Sequence, residues 1–340
     1  MTHGGSVLDA SKTLDPAFHM IPIIDIKDAE SPDQAARRRV ALEIRDACIN
    51  VGFFYVKTHG IPQATIDEAY EASKQFFALP LKEKLKIDHT TTHNHRGYNG
   101  LRSQNTDPEN DGDMHEAFNM GKDHFDANVP DVKTAAAKGS MMGANIWPTE
   151  SLVPGFRPAV VDYYDASAKL GKVLFPLFAL ALDLDEHFFD DKTKNSAANM
   201  RLMHYPPQTG PVDDRVIGIG AHTDYECFTI LWQEPGIQAL QVLNSSKEWI
   251  NAPPIDGTLV VNLGDQFERW TNDIFKSTTH RAINRSGVER YSIPTFLGTD
   301  YDVKMEPIPS CVSAESPPKY EVMTSGEFFK AKVDASYAAR

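Results

Sequence analysis

The sequence predicts an α+β protein in which a β-rich core is flanked by helices, one of them long enough to back a sheet. Two features of the chain predict this. Residues 155–184 repeat apolar side chains at helical spacing. Beyond Asn199 the pattern changes to short runs rich in β-branched residues, at 200–206, 216–233, 238–244, 258–263, 278–284 and 289–298. Runs of this length and spacing are typical of a β-sandwich or barrel.

The first quarter of the chain predicts alternating strands and helices. Its strands are expected at 21–26 and 52–56, and its helices at about 32–50 and 62–77. From 96 to 121 two candidate strands flank a segment rich in Asp, Asn, Pro and Gly, and a second loop-like stretch runs over 122–154. Long loops in a compact domain are usually functional. Two further helices are expected at 264–270, where Asp265 suits the capping position, and at 325–337.

The charge balance excludes two classes of partner. The chain has 34 Lys and Arg against 47 Asp and Glu, which gives a net charge of −13. This charge repels phosphate backbones and anionic lipids, so we expect no nucleic acid and no membrane partner. Cysteines occur only at Cys48, Cys227 and Cys311. We expect reduced thiols in a cytoplasmic protein without a secretory signal; the oligomeric state is left open.

The sharpest motif is His222-Thr223-Asp224 within a β-like stretch. Alternate residues of a strand share a face, so the imidazole and the carboxylate are expected to project together. A second histidine, His280, lies in another β-branched run. Two histidines and one carboxylate on one face of octahedral iron(II) leave three positions open. Hydrolytic zinc sites use similar ligands, so the three residues alone do not identify the metal.

A third element follows both histidines, at Arg290-Tyr291-Ser292. Here alternate positions place a guanidinium beside a hydroxyl, which suits one carboxylate of a short diacid. A histidine near an aspartate is more often an ordinary surface or core residue. The order and spacing of the three elements favour a functional site.

These residues resemble the iron(II) and 2-oxoglutarate oxygenases of the isopenicillin N synthase type, which have His-x-Asp, then a distant His, then Arg-x-Ser. Here His280 follows Asp224 by 56 positions and Arg290 follows His280 by 10. The layout is most similar to fungal members such as thymine hydroxylase. Further segments carry the resemblance: Ile21-Pro22-Ile23-Ile24-Asp25, Gly52-Phe53-Phe54, Arg96-Gly97-Tyr98, Asn145-Ile146-Trp147-Pro148 and Val260-Val261-Asn262-Leu263-Gly264-Asp265.

The resemblance implies a double-stranded β-helix (jelly-roll) core that holds Fe(II), with 2-oxoglutarate and O2 as co-substrates. It implies that Arg290, Ser292 and Tyr205 anchor the distal carboxylate of 2-oxoglutarate. The expected reaction oxidises an unactivated C–H bond of a small organic metabolite and releases succinate and CO2. One departure is Met203, which stands where plant relatives carry an asparagine that helps to hold the co-substrate.

The substrate pocket is expected across the metal from Arg290, with candidate residues Arg96, Tyr98, Glu116, Phe118, Tyr225 and Phe296. Phe118 and Phe296 have an ordinary alternative as core residues. Arg96 and Glu116 have an alternative as a structural ion pair.

Several other residues are predicted to lie outside the chemistry. Cys227 is expected to be a buried neutral thiol. His204 should point away from the co-substrate, because its neighbour Tyr205 points towards it. His89, His93 and His95 lie in a threonine-rich stretch and are interpreted as a flexible loop rather than a metal cluster.

The expected organisation is a polar leader at 1–20 and a single oxygenase domain at 21–340. Two alternatives remain open: an iron oxidase of the same fold that does not consume 2-oxoglutarate, and a non-catalytic binding protein. The parts of the domain are an N-terminal mixed α/β part with substrate loops (21–154), backing helices (155–190), a jelly-roll core with the metal site (199–300) and a C-terminal extension with a helix (301–340).

Overall fold

The computed structural model describes residues 17–103, 113–123, 143–196, 198–208 and 218–338. Most of the expected leader and the middle of both expected loops lie outside the described residues. The strands, in chain order, are β1 (Ile23–Asp25), β2 (Phe53–Lys57), β3 (Gly97–Asn99), β4 (Glu116–Gly121), β5 (Asn199–Tyr205), β6 (Ile219–His222), β7 (Phe228–Gln233), β8 (Leu240–Leu243), β9 (Trp249–Asn251), β10 (Thr258–Leu263), β11 (His280–Ala282) and β12 (Arg290–Leu297).

These strands form two sheets. The larger sheet has eight strands in the order β1-β2-β10-β7-β12-β5-β4-β3, and the smaller has four in the order β6-β11-β8-β9. Apart from the parallel pair β1 and β2, neighbours in both sheets are antiparallel. Because the order departs from chain order, the sheets form the jelly-roll core rather than a simple meander.

The described residues include six α-helices, of which the first, the second and the fourth pack against the larger sheet. They are α1 (Gln34–Asn50), α2 (Gln63–Phe77), α3 (Leu81–Lys84), α4 (Phe156–Ala181), α5 (Asp265–Trp270) and α6 (Ser325–Ala338). The Asp33 side chain caps α1 by accepting a hydrogen bond from the Ala35 amide. The long α4 packs against α1, α2 and β12. A Cβ on Gly171 would lie 2.8 Å from Leu297 Cδ2, so a larger residue there would require the Leu297 side chain to move.

The α+β fold class with a long backing helix is therefore confirmed. Two local expectations were wrong, and a third was wrong in part. The stretch 216–233 contains a turn between β6 and β7 rather than one strand. Asp265 makes no capping hydrogen bond; Gly264 occupies the cap position. The histidine-rich segment is a loop only in part: His89 is buried in a short 3-10 helix, His89–Thr91, whereas His93 and His95 follow outside regular secondary structure.

Candidate metal centre

The structure brings His222, Asp224 and His280 together. His222 ends β6 and His280 begins β11, and the two residues are directly paired across these antiparallel strands. Asp224 lies in the turn after β6 rather than on the strand. The imidazole and the carboxylate do project together, as predicted, but not because they share a strand face. The turn after β6 brings the carboxylate back towards both rings.

The distances in this group suit one small cation. Nε2 of His222 and Nε2 of His280 each lie 3.7 Å from Asp224 Oδ1. Two ligand atoms at about 2.1 Å from one ion are separated by at most about 4.2 Å, so 3.7 Å is compatible with shared coordination. Within the described ranges, this is the one group of three or more His, Cys, Asp or Glu residues whose ligand atoms lie within 4.8 Å of one another.

Backbone hydrogen bonds orient both imidazoles. Nδ1 of His222 lies 2.8 Å from the Gly220 carbonyl oxygen, and Nδ1 of His280 lies 3.0 Å from that of Thr278. A carbonyl oxygen only accepts, so Nδ1 carries the proton in each ring. Each ring therefore directs its Nε2 atom towards Asp224. Burial, followed by the charge of His280, lowers the pKa of His222 to about 4, which keeps this ring neutral at pH 7.

The Asp224 carboxylate is held by side chains of the larger sheet. Its Oδ2 accepts hydrogen bonds from Thr229 Oγ1 at 2.5 Å and from Asn262 Nδ2 at 2.7 Å. Burial alone raises the pKa of Asp224, but the two histidines and these two hydrogen bonds more than offset it, so the pKa is lowered. The carboxylate is ionised at neutral pH, with Oδ1 directed towards the histidines. Two imidazole nitrogens and one carboxylate suit iron(II) chemically.

Asp265 connects the two ligand-bearing segments. Its Oδ2 accepts from Thr223 Oγ1, which lies between the first two ligands, at 3.2 Å, and its Oδ1 accepts from Ser277 Oγ, before His280, at 2.6 Å. Lys332 of α6 also donates to Oδ2, at 2.6 Å. The carboxylate expected to cap α5 therefore fixes the metal-ligand segments relative to each other. Sequence reasoning missed this role.

A buried arginine lies at the other end of the same cavity. Arg290 is 1% exposed, pairs with Tyr205 across β12 and β5, and has its guanidinium 4.7 Å from the Tyr205 ring. Its Nη2 donates to Gln233 Oε1 at 3.3 Å, while Nε and Nη1 have no hydrogen-bond partner among the described residues. Ser292 Oγ donates to the Tyr205 hydroxyl at 3.5 Å. One guanidinium and two hydroxyls can thus bind a carboxylate.

Met203 is the predicted departure from the plant members of the family. It is buried, pairs with Ser292 across the strands, lines the cavity and packs with Ala117, Tyr205 and Ala282. The side chain therefore gives the cavity an apolar contact beside Ser292.

The cavity that contains these groups has a volume of about 240 Å³. Of the six residues predicted to bind substrate, Arg96, Tyr225 and Phe296 line it. Tyr98, Glu116 and Phe118 do not line it, so their prediction as pocket residues disagrees with the structure. Side chains alternate between the two faces of β4, and Asn119 of that strand points into the cavity while Glu116 and Phe118 face the helical core.

Glu116 instead belongs to a buried polar cluster on the far face of the sheet. It accepts hydrogen bonds from Lys84 Nζ at 2.7 Å and from the Tyr98 hydroxyl at 2.5 Å, and lies 2.8 Å from His204 Nδ1. Burial raises its pKa, but these hydrogen bonds and the Lys84 charge more than offset it and lower the pKa. Glu116 therefore forms a structural ion pair, as the alternative predicted, and its partner is Lys84 rather than Arg96. His204 lies away from the cavity, as predicted.

Several residues that line the cavity were not predicted. The clearest sequence signal was Asn262, a polar residue within an otherwise apolar strand, which needs a buried partner. Glu226 is also buried, and burial, only partly offset by its hydrogen bond from Asn199, raises its pKa to about 8. Cys227, next to it, is a buried thiol whose pKa burial raises, as predicted. Other missed lining residues include His115, Asn119, Asn199, Arg201, Phe329 and Val333.

Among the helices in the described residues, none has the length and apolar character needed to cross a membrane.

Comparison with known proteins gives the family directly. Residues 21–150 match the family described as non-haem dioxygenase in morphine synthesis N-terminal, and residues 196–299 match the 2OG-Fe(II) oxygenase superfamily.

Individual fungal relatives cover nearly the whole chain. The 2-oxoglutarate-Fe(II) type oxidoreductase hxnY of Emericella nidulans is 37% identical over 93% of this chain and 90% of its own. The 2-oxoglutarate-dependent dioxygenase traH of Penicillium crustosum is 34% identical over 87% and 89%. The crystal structure of Neurospora crassa thymine hydroxylase with alpha-KG and thymine has a TM-score of 0.83, is 29% identical, and covers 96% of this chain and 99% of that one.

The predicted resemblance, including the likeness to fungal members, is thereby confirmed. The family uses Fe(II), with 2-oxoglutarate and O2 as co-substrates. The chain belongs to the 2OG-Fe(II) oxygenase superfamily and is an iron(II)- and 2-oxoglutarate-dependent dioxygenase.

Proposed function

We propose that His222, Asp224 and His280 hold the iron(II) ion of this dioxygenase. The observation that carries the proposal is the convergence of two Nε2 atoms and one ionised carboxylate oxygen, with 3.7 Å between each nitrogen and Asp224 Oδ1. Two imidazoles and one carboxylate on one face of octahedral iron leave three positions open. A chelating co-substrate and dioxygen require that number.

We further propose that Arg290, Ser292 and Tyr205 bind the distal carboxylate of 2-oxoglutarate. Support comes from the two unengaged N–H groups of a guanidinium that is 1% exposed, beside two hydroxyls. A buried charge of this kind is costly without an anion. The planar fork of arginine matches a carboxylate in two places at once, which fixes the direction of the bound diacid.

The proposed reaction is oxidation of an unactivated C–H bond in a small organic metabolite. When bound, iron and 2-oxoglutarate supply an oxidant made from dioxygen, with succinate and CO2 as co-products. The cavity of about 240 Å³ suits a small molecule, and the similar Neurospora crassa structure contains thymine. In this chain Phe296 would provide an apolar wall, while Arg96 and Tyr225 would orient polar groups of the substrate.

We also propose that residues 21–340 form one folded domain. The support is that β1 and β2, from the N-terminal part, extend the larger sheet through β10, while α1 and α2 pack on α4. A boundary between these parts would cut through one sheet and one core.

The function can be tested by following succinate release and dioxygen uptake during turnover with and without 2-oxoglutarate. We expect both to require 2-oxoglutarate and iron(II). Arg290→Ala should raise the 2-oxoglutarate concentration needed for half-maximal rate at least about 10-fold, because a charged hydrogen-bond pair is lost, without removing iron. Turnover that is independent of 2-oxoglutarate would favour an iron oxidase of the same fold.

A binding test separates an enzyme from a scaffold that does not turn over. Under anaerobic conditions, iron(II) and 2-oxoglutarate together should produce a weak visible charge-transfer band. His222→Ala should remove the band, whereas His187→Ala, at an exposed histidine remote from the cavity, should keep it. A metal-loaded protein without any band would contradict the proposed assignment of the ligands.

A further inference from the structure

Arg96 occupies an unusual position in the cavity. It immediately precedes β3, is 7% exposed and lines the cavity. Its guanidinium lies against the backbone of Gly121 on β4, where a Cβ would come within 2.1 Å of Arg96 Nη2. Only glycine at position 121 lets the guanidinium lie there unchanged. The cation is therefore held against the cavity wall rather than directed to the surface.

Within the described part of the chain Arg96 has no ion pair: Glu226 attracts its charge only at longer range, and burial nevertheless lowers the pKa of Arg96. Nη2 donates to Asn199 Oδ1 at 2.5 Å, and Nε has no hydrogen-bond partner there. None of the described carboxylates lies within 4.0 Å of the guanidinium, in contrast to the buried Arg45, which pairs with Asp183 at 3.0 Å. A buried guanidinium normally has an anionic partner, because removing its charge from water is costly.

The side chain of Glu226, which attracts the Arg96 charge, is engaged with another residue. Glu226 accepts a hydrogen bond from Asn199 Nδ2 at 3.3 Å, so the Asn199 amide lies between Glu226 and Arg96, with its oxygen towards the arginine. The asparagine thereby holds the guanidinium in place through a neutral contact. It does not neutralise the charge.

Strand register gives the distance from Arg96 to both reaction components. Asn199 and Tyr205 are the two ends of β5, six residues and so about 20 Å apart, which separates Arg96 from the proposed 2-oxoglutarate anchor. Phe296 pairs with both Asn199 and Thr229, and Thr229 bonds the proposed ligand Asp224. The Asn199 and Thr229 backbones are therefore two strand spacings, about 10 Å, apart. This span suits a small substrate.

We propose that Arg96 binds the carboxylate of the substrate, and that this dioxygenase therefore acts on small carboxylic acids. Asn199 positions the guanidinium, Gly121 provides the space for it, and Phe296 lies between this anchor and the metal centre. The inference rests on the proposed function, because it takes the cavity as the place of the reaction. The substrate carbon that reacts lies several ångströms from the carboxylate.

The test compares four acids with their primary amides: benzoate, phenylacetate, cyclohexanecarboxylate and hexanoate. Each is titrated calorimetrically into the anaerobic protein loaded with iron(II) and saturating 2-oxoglutarate, which occupies the Arg290 end. At least one acid should bind about 10-fold or more tightly than its amide, as expected for a charge-assisted contact. Equal affinity within every pair, or no binding by any of the four acids, would overturn the proposal.

Variants of the protein test whether Arg96 causes the preference for acids over amides. Arg96→Gln should bring the ratio of amide to acid dissociation constants close to one, and Arg96→Lys should keep part of it. Gly121→Ala provides a second route, since it displaces the guanidinium without removing it, and should also lower the ratio. Arg38→Gln, at an exposed arginine of α1, removes the same charge outside the cavity and should leave the ratio unchanged. A preference that survives in both Arg96→Gln and Gly121→Ala would contradict the assignment.

The charge-transfer band distinguishes failure of this inference from failure of the proposed function. If wild-type protein forms the band but does not prefer acids, only the role of Arg96 is wrong. If wild-type protein forms no band with iron(II) and 2-oxoglutarate, the proposed metal and co-substrate sites are wrong as well.

Discussion

Replacing Arg290 with methionine should stabilise the protein without its co-substrate and abolish the stabilisation that 2-oxoglutarate provides. Two N–H groups of this buried guanidinium have no partner in the described structure, and each costs about 1–3 kcal/mol, or about 2–6 kcal/mol together. The substitution loses the 3.3 Å hydrogen bond to Gln233 and the contact with the Tyr205 ring, together about 2–3 kcal/mol. The difference spans about −1 to 4 kcal/mol, and its midpoint is a net stabilisation of about 1.5 kcal/mol.

Thermal unfolding measures this balance. Unfolding entropy of about 2.1 cal/mol/K per residue amounts to about 0.7 kcal/mol/K for 340 residues, so a gain of about 1.5 kcal/mol raises Tm by about 2 °C. With iron(II) under anaerobic conditions, 2-oxoglutarate at about 100 times its Kd should stabilise wild-type protein by about 2.7 kcal/mol. The same addition should leave the Arg290→Met variant nearly unchanged.

Either of two results would contradict the proposed role of Arg290. A lower Tm for Arg290→Met without co-substrate would mean that the guanidinium stabilises the fold and is not held ready for an anion. A full 2-oxoglutarate response in this variant would mean that the distal carboxylate binds elsewhere. Arg290→Lys is the matched control, because it keeps the positive charge but loses the planar fork, and it should retain part of the response.

Three further outcomes are expected. Asn262→Leu removes one of the two hydrogen bonds to the Asp224 Oδ2 atom, so iron affinity measured by chelator competition should fall about 10- to 100-fold, and an unchanged affinity would argue against this support. Tyr98→Phe deprives Glu116 of a hydrogen bond away from the cavity, so urea unfolding should show a loss of about 1–2 kcal/mol with an unchanged KM; a raised KM would place Tyr98 at the substrate. Burial raises the pKa of all three thiols, Cys48, Cys227 and Cys311, and raises that of Cys311 to about 11. At pH 8 the thiols therefore remain protonated, and a disulfide reagent should react with them only after urea is added. Fast labelling of the folded protein would contradict their burial.

Much of the architecture could be predicted from neighbouring residues. The apolar repeat at 155–184 predicted the long helix observed at Phe156–Ala181, and the β-branched runs predicted all but one of the strands described beyond Asn199. The missed strand, Trp249–Asn251, has only three residues and no alternating pattern long enough to detect. The candidate site residues His222, Asp224, His280 and Arg290 could also be predicted, because their order and spacing are visible in the sequence and their side chains have the same chemistry in any fold.

Secondary structure, the types of metal-binding side chain and the family resemblance thus follow from the sequence, whereas the contacts between distant side chains follow only from the folded structure. Glu116 and Asn119 illustrate why these contacts could not be predicted. Both lie on β4, which is buried on both faces, so alternation along the strand does not tell which face borders the cavity. Pairing of β4 with β5, some eighty residues later, sets the face and brings Arg96 to Asn199. Asp265 likewise reaches Thr223 and Ser277 only after distant segments have packed together.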